Sequence, residues 1–296
     1  MHIEAIDPEF HQLIQTGAAV ERLAHGLYFG EGPVWDKRTK TFYFTEIIGD
    51  TIWKWQEGLG CEKLVHPSGH ANGMTMDQQG RLVVAGWSQR TVWRIEKDGS
   101  HSTLVSDFEG VKLNGPNDIV VKSDGSIYWT DPPGGLGIPG MGGEDVQRYL
   151  PYQGVFCRKP DGKVQVAIHD CFYPNGLTFS GDESQLYVND TRQGLIRVFE
   201  LQSDGTCGPG RLFHKLIGEE PGVADGMKLD VQGNVYCTGP GGIHVISSNG
   251  SLLGRILFPG HCSNLAWGGD DWRWLFITTY HDVYRIRMNI SGVPTW

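Results

Sequence analysis

The chain has 296 residues, with 25 basic and 34 acidic side chains and a formal net charge of −9, a balance that argues against nucleic acid or an anionic membrane surface as a partner. No run of about 20 apolar residues is available to span a bilayer, and the N-terminal Met1-His-Ile-Glu-Ala-Ile-Asp lacks the basic and apolar parts of a secretion signal. Six cysteines lie scattered without a CxxC pair and read as reduced thiols of a cytoplasmic protein.

In chain order, residues 1–18 are expected as a helix or loop packed outside one domain that runs from 1 to 296. The segment Ala19-Val-Glu-Arg-Leu-Ala24 is strand-like and precedes the first of six repeats. Each repeat opens on a short phrase with a polar lead residue: Glu31-Gly-Pro-Val-Trp, Asn72-Gly-Met-Thr-Met, Asn117-Asp-Ile-Val-Val, Asn175-Gly-Leu-Thr-Phe, Asp225-Gly-Met-Lys-Leu and Asn264-Leu-Ala-Trp. A second β-rich run follows, as in Phe42-Tyr-Phe-Thr-Glu46 and Ile127-Tyr-Trp-Thr-Asp131, and then a third, as in Ile52-Trp-Lys-Trp and Ile196-Arg-Val-Phe. The alternation of apolar and polar residues in the third run is that of a half-buried strand.

Four repeats continue into Lys97-Asp-Gly, Pro160-Asp-Gly, Ser203-Asp-Gly and Ser248-Asn-Gly. These are hairpin turns in which both central residues are expected at positive φ, and each leads to a weaker fourth strand. The glycine-rich stretch 132–151 interrupts the third repeat and is expected as a lid over a channel end. The sixth repeat ends after its third strand, so the N-terminal strand is expected to supply the missing fourth. A fixed-period array of four-stranded units predicts an all-β fold, a six-bladed β-propeller whose ring the N-terminal strand closes.

In such a ring the six lead residues converge on one axis. Two acids and four amides form an oxygen-only set that suits a hard divalent cation, and two carboxylates in a partly desolvated channel repel unless a cation lies between them. This reasoning does not separate the six positions from one another. No serine lies in a nucleophile-elbow motif.

The phrases Glu31-Gly-Pro-Val-Trp-Asp, Pro116-Asn-Asp-Ile-Val-Val-Lys-Ser-Asp-Gly-Ser-Ile-Tyr-Trp-Thr-Asp-Pro-Pro133, Pro174-Asn-Gly-Leu-Thr-Phe-Ser and Ala224-Asp-Gly-Met-Lys-Leu-Asp resemble the gluconolactonase/SMP-30 family. So do Gly239-Pro-Gly-Gly and Asn264-Leu-Ala-Trp-Gly-Gly-Asp-Asp, and the resemblance runs from about residue 20 to 288. It implies a six-bladed propeller that hydrolyses lactones, often sugar lactones, with one divalent metal on its axis. By that resemblance Glu31, Asn175 and Asp225 match metal ligands, and Asn117 matches a residue touching metal, its water or substrate. Asp225 also matches the general base, while Asn72 and Asn264 line the channel as substrate contacts.

The implied function is opening of an aldonolactone such as gluconolactone by metal-activated water, with Ca2+ favoured and Mg2+, Mn2+, Zn2+ or Fe2+ as alternatives. The competing readings are a phosphotriesterase-like hydrolase and a non-catalytic metal-binding propeller. A small-molecule lactone is the expected partner, and the oligomeric state is left open. Two departures weaken transfer of the substrate. An arginine that contacts sugar hydroxyls in animal members is Gly115 here, and the family's Asp-Pro-Pro-Tyr-Gly reads Asp131-Pro-Pro-Gly134-Gly. Trp87 also stands where other repeats place Glu46, Asp131 and Asp190.

Overall fold

A computed structural model describes residues 2–15, 17–137 and 145–295. Among the described residues six of its seven antiparallel sheets follow the repeats in order, each repeat supplying its innermost strand first, and the seventh is a two-stranded ribbon of Asp107–Phe108 and Val111–Lys112. These inner strands are Gly30–Asp36, Met74–Met76, Ile119–Val121, Pro174–Phe179, Met227–Leu229 and Cys262–Gly268, numbered here as blades 1 to 6. Burial falls outward across a blade. Gly30–Asp36 is wholly buried, whereas the outermost strand Gly60–Val65 of the same blade is mostly exposed. The architecture is the expected six-bladed β-propeller.

The ring closes as expected. Val20–His25 forms the fourth strand of blade 6, pairing antiparallel with Asp282–Arg287 from Val20 opposite Ile286 to His25 opposite Asp282. The segment before it departs from a simple outer helix or loop. His2–Ala5 adds a fifth strand to blade 5, paired with Leu252–Leu257. A one-turn helix, Phe10–Leu13, then turns inward so that Phe10 and Ile14 are fully buried. It is tied down by the Asn289 N–H, which donates to the Leu13 carbonyl at 2.8 Å. The sequence signal for this was the apolar pair Phe10 and Ile14 at helical spacing.

The four Asp-Gly and Asn-Gly turns form, with a different geometry from the one expected. Only Gly99, Gly162, Gly205 and Gly250 take positive φ, between 83° and 93°. The residue before each glycine instead uses its side chain: the carboxylates of Asp98, Asp161 and Asp204 each accept the backbone N–H two residues on, at 2.9 Å. Asn249 does the same toward Ser251 at 3.0 Å. The glycine therefore relieves the one left-handed position while the acid stabilises the turn locally.

Close approach at the axis explains the glycine after most lead residues. A Cβ on Gly32 would overlap the Asn72 carbonyl of blade 2, and one on Gly176 would overlap the Asp225 carbonyl of blade 5. In their place lie interblade hydrogen bonds. Gly73 N–H donates to the Asn117 carbonyl at 2.7 Å, Gly176 N–H to the Asp225 carbonyl at 3.0 Å, and Gly226 N–H to the Ser263 carbonyl at 2.7 Å. Farther out, blades meet through aromatic side chains. Phe276 of blade 6 stacks on Trp35 and Phe42 of blade 1 at centroid distances of 5.4 and 4.3 Å.

Of the predicted lid, residues 138–144 lie outside the described residues. Its flanks are anchored: Gly134–Gly137 forms a 3-10 turn, and Arg90 donates to the Asp145 and Gln147 carbonyls at 3.2 and 3.0 Å. All six cysteines are free thiols, and no helix among the described residues is long and apolar enough to cross a membrane. Truncating the buried Phe10 is expected to cost about 3 kcal/mol, read as a lowered midpoint of urea unfolding in Phe10→Ala. A variant as stable as the parent would show that the N-terminal helix is not part of the core.

Candidate active site

All six lead residues stand at the start of their inner strands, and all are buried. Glu31, only 2% exposed, accepts the Gly32 N–H at 2.6 Å and the Asn264 side-chain N–H at 2.9 Å, both on Oε2. Asn264 spends its other amide atom on the Leu265 N–H at 2.8 Å. It is thus a strut holding Glu31, with both side-chain polar atoms engaged inside the protein. Across the axis Asp225 is bonded through Oδ2 to Nε2 of His261 at 3.0 Å. Asn175 interacts with the same carboxylate and also donates to Thr191 Oγ1 at 2.9 Å. Thr191 in turn donates to the Ala224 carbonyl at 2.7 Å, joining the lead segments of blades 4 and 5.

Asn117 and Asn72 are fixed through backbone. Asn117 donates its N–H to the Thr130 carbonyl at 2.8 Å and accepts from Gly73. The Asn72 carbonyl accepts from Thr45 Oγ1 at 2.9 Å. Asn72 Oδ1 is buried without a hydrogen-bond partner, an arrangement that costs free energy unless something else meets it.

A further acid stands here that the pattern of lead residues does not mark. Asp118, 2% exposed, occupies the position that is glycine in four of the six repeats. Its Oδ2 accepts no hydrogen bond and lies 3.8 Å from Nζ of Lys228. Its signal was an acid at an inner-strand position where backbone crowding favours glycine, with a lysine in the inner strand of blade 5.

Two of these buried carboxylates, Glu31 and Asp225, have raised proton affinity. Burial pushes Glu31 well above the usual carboxylate range, and the charges of Asp225 and Asp118 push it further. Asp225 is raised too, chiefly by burial, against the lowering effects of His261 and Asn175. Among the described residues no three His, Cys, Asp or Glu groups form a ready metal cluster. The set is instead one of carboxylate and amide oxygens. At the other end of the inner strands a cavity of about 460 Å³ opens, lined by Trp35, Met74, Phe179, Lys228 and Trp267 among others. No lead residue lines it, so the convergent polar groups and this cavity sit at opposite ends of the inner strands.

Acids at the ends of second strands shape the loops around the lead residues. Asp131 accepts the Asn114 and Gly115 N–H groups at 2.8 and 2.9 Å, and burial pushes it up to about 7 against those bonds. Asp190 accepts the N–H groups of Phe172 and Tyr173 on Oδ2, both at 2.8 Å, and those of Arg192 and Gln193 on Oδ1. Blade 2 has Trp87 instead, and its indole explains the nearby glycines. A Cβ at Gly115 would lie 3.2 Å from Trp87 Cδ1, and one at Gly135 3.0 Å from the indole ring. His70 and His281 hydrogen-bond through Nδ1 to the Ile47 and Leu27 carbonyls at 2.7 and 2.9 Å, as satisfied structural histidines do.

The raised carboxylates set the sign of a pH dependence. At Glu31 and Asp225 the folded state binds protons more tightly than the unfolded chain. The stability these two groups contribute is therefore complete below the ordinary carboxylate pKa of about 4 and is lost as pH rises through the raised folded values. In EDTA-treated protein the melting temperature of Glu31→Gln is expected to gain on that of the parent as pH rises from about 4. Equal slopes in the two proteins would refute this electrostatic account.

Comparison with known proteins agrees with this architecture. Residues 29–281 match the family model described as SMP-30/Gluconolactonase/LRE-like region. A gluconolactonase of Zymomonas mobilis is 30% identical over 98% of this chain and 87% of its own length. A 6-deoxy-6-sulfogluconolactonase of Pseudomonas putida is 25% identical over 89% and 92%. The solved structure of a gluconolactonase from Xanthomonas campestris superposes with a TM-score of 0.90 at 30% identity, over 97% of this chain and 95% of that one. The chain belongs to the SMP-30/gluconolactonase/LRE-like family.

Proposed function

We propose that this protein is a lactonase that opens the ring of a sugar lactone, an aldonolactone such as gluconolactone first among them. The observation that carries the reading is the buried convergence of Glu31, Asp225 and four asparagines at one end of the channel. Its context is a family whose similar members include a gluconolactonase and a 6-deoxy-6-sulfogluconolactonase.

The site suits one divalent cation, Ca2+ before Mg2+, Mn2+, Zn2+ or Fe2+. Its donors are all oxygens, its carboxylates are destabilised as anions by burial and mutual repulsion, and Asn72 Oδ1 has no partner. Glu31, Asn175 and Asp225 would hold it, with Asn117 alongside. When bound, such a cation polarises a carbonyl and lowers the pKa of water.

The residues of the chain do the remaining work. Asn264 and the Gly32 N–H fix Glu31 in one orientation. His261 holds Oδ2 of Asp225 and so sets the direction of the other oxygen. Asp225 takes a proton from the water that attacks the lactone carbonyl carbon and returns one to the ring oxygen as the carbon–oxygen bond breaks. Asn117 and Asn72 face the same end of the channel as substrate contacts. The product hydroxy acid ionises, so turnover releases a proton.

Proton release from a panel of aldonolactones, measured after EDTA treatment and again after adding one metal at a time, is expected to vanish and return. Silence across the panel with metal bound would overturn the reading and favour a phosphotriesterase-like hydrolase or a non-catalytic propeller. In Asp225→Ala turnover is expected to fall by about a thousandfold or more, since a ligand and the base are lost together. Turnover like that of the parent in this variant would remove Asp225 from the mechanism.

A further inference from the structure

The lactone ring of an aldonolactone carries several hydroxyls, and Gly115 and Gly134 offer them no side chain. Gly115 lies against the Trp87 indole, where a Cβ would be 3.2 Å from Cδ1, and Gly134 lies against the Tyr173 hydroxyl with Trp87 at ordinary contact distance. What fills the space above Gly134 is the hydroxyl of Tyr173, from the loop entering blade 4: a Cβ on Gly134 would overlap it. An aromatic phenol is therefore present at this end of the channel, delivered from a different blade.

Tyr173 is half-buried and stands two residues before Asn175, at the entry to the inner strand of blade 4. The guanidinium of Arg192 lies over the Tyr173 ring at 5.2 Å from the centroid. Both residues are held by one group: Asp190 takes the Tyr173 N–H on Oδ2 and the Arg192 N–H on Oδ1. Thr191, between them in the network, contacts Asn175 and the segment leading to Asp225. The backbones of Tyr173 and Arg192 are thus both anchored by a buried carboxylate, and the guanidinium of the exposed Arg192 rests on the Tyr173 ring, which limits the ordering cost of binding.

We propose that Tyr173 and Arg192 form the wall that recognises the hydroxyl groups of a polyhydroxylated lactone, replacing contacts that Gly115 and Gly134 cannot make. The phenol donates and accepts, the guanidinium only donates, and a hydroxyl-bearing ring offers both partners. This inference rests on the lactonase reading for its substrate and adds a determinant of which lactone is preferred. A site built to hydrogen-bond hydroxyls discriminates strongly against an analogue that lacks them.

The test compares D-glucono-1,5-lactone with unsubstituted δ-valerolactone in the metal-loaded parent, Tyr173→Phe, Arg192→Met and Gly134→Ala. The selectivity ratio in kcat/KM is expected to contract by about tenfold or more in each variant, mainly through KM for the hydroxylated substrate. Gly134→Ala keeps the phenol and displaces it, so it separates position from chemistry. Equal losses on both substrates, or an unchanged ratio, overturn the proposal. Calorimetric titration with the unhydrolysable D-gluconolactam and with δ-valerolactam keeps the two readings apart. If the parent binds the hydroxylated lactam and the variants bind it at least about tenfold more weakly, the wall stands even where hydrolysis fails and the lactonase reading falls. A parent that binds neither lactam, or both equally, overturns the wall itself.

Discussion

The inner strands of this ring meet through their backbones, and the rest of the site follows from that. Gly73, Gly176 and Gly226 each donate an N–H to a carbonyl of the following blade, at distances that leave no volume for a Cβ. Once the residue after the lead position is committed to the neighbouring blade, the lead side chain points into the channel. Six polar side chains are thereby held in a space that water cannot freely solvate. Acids in such a place are costly as anions, and the protein keeps Glu31, Asp225 and Asp118 there. Stability is given up locally for a concentration of negative charge at a defined point.

Much of this was legible in the chain. The repeat fixed the number of blades, and the unmatched third strand of the last blade pointed to Val20–His25 as its closing partner. The convergence of the six lead residues followed from the repeat alone. What they do was not legible from it, because a polar residue followed by glycine is also the ordinary way to begin a turn. Asp118 was hidden for a physical reason: it sits in the glycine slot of its phrase, and only the folded ring shows its carboxylate beside two others. The link from His261 to Asp225 crosses between blades, and such distances have no signature in local spacing. The turns show the reverse error. Asp-Gly was read correctly as a turn, but the side-chain bond to the residue two positions on lets aspartate stay out of the left-handed region.

Trp87 shows how one substitution of type reorganises a neighbourhood. Blades 1, 3 and 4 end their second strands in Glu46, Asp131 and Asp190, whose carboxylates gather backbone N–H groups of adjacent loops. Blade 2 offers a flat apolar surface there, and the adjoining loops answer with glycine at 115 and 135. Beside them the Tyr173 hydroxyl reaches across from blade 4 into the space over Gly134. The two absences at Gly115 and Gly134 thus have different steric causes, an indole at the first and a phenol at the second.

The N-terminal segment carries a consequence for how the molecule is made. His2–Ala5 pairs with Leu252–Leu257, and Val20–His25 pairs with Asp282–Arg287. The first strands synthesised therefore wait for the last. During translation, blades 1 to 4 can form from sequence already emerged, while His2–Ala5 remains unpaired until synthesis passes residue 257 and Val20–His25 until it passes residue 287. The ring is then sealed in a late event that joins the most distant parts of the chain, the kind of contact that is entropically slowest to form. For that interval the nascent protein carries an uncovered aromatic face on its first blade and unclaimed N-terminal strands, a vulnerability to mispairing that is set by the order of synthesis.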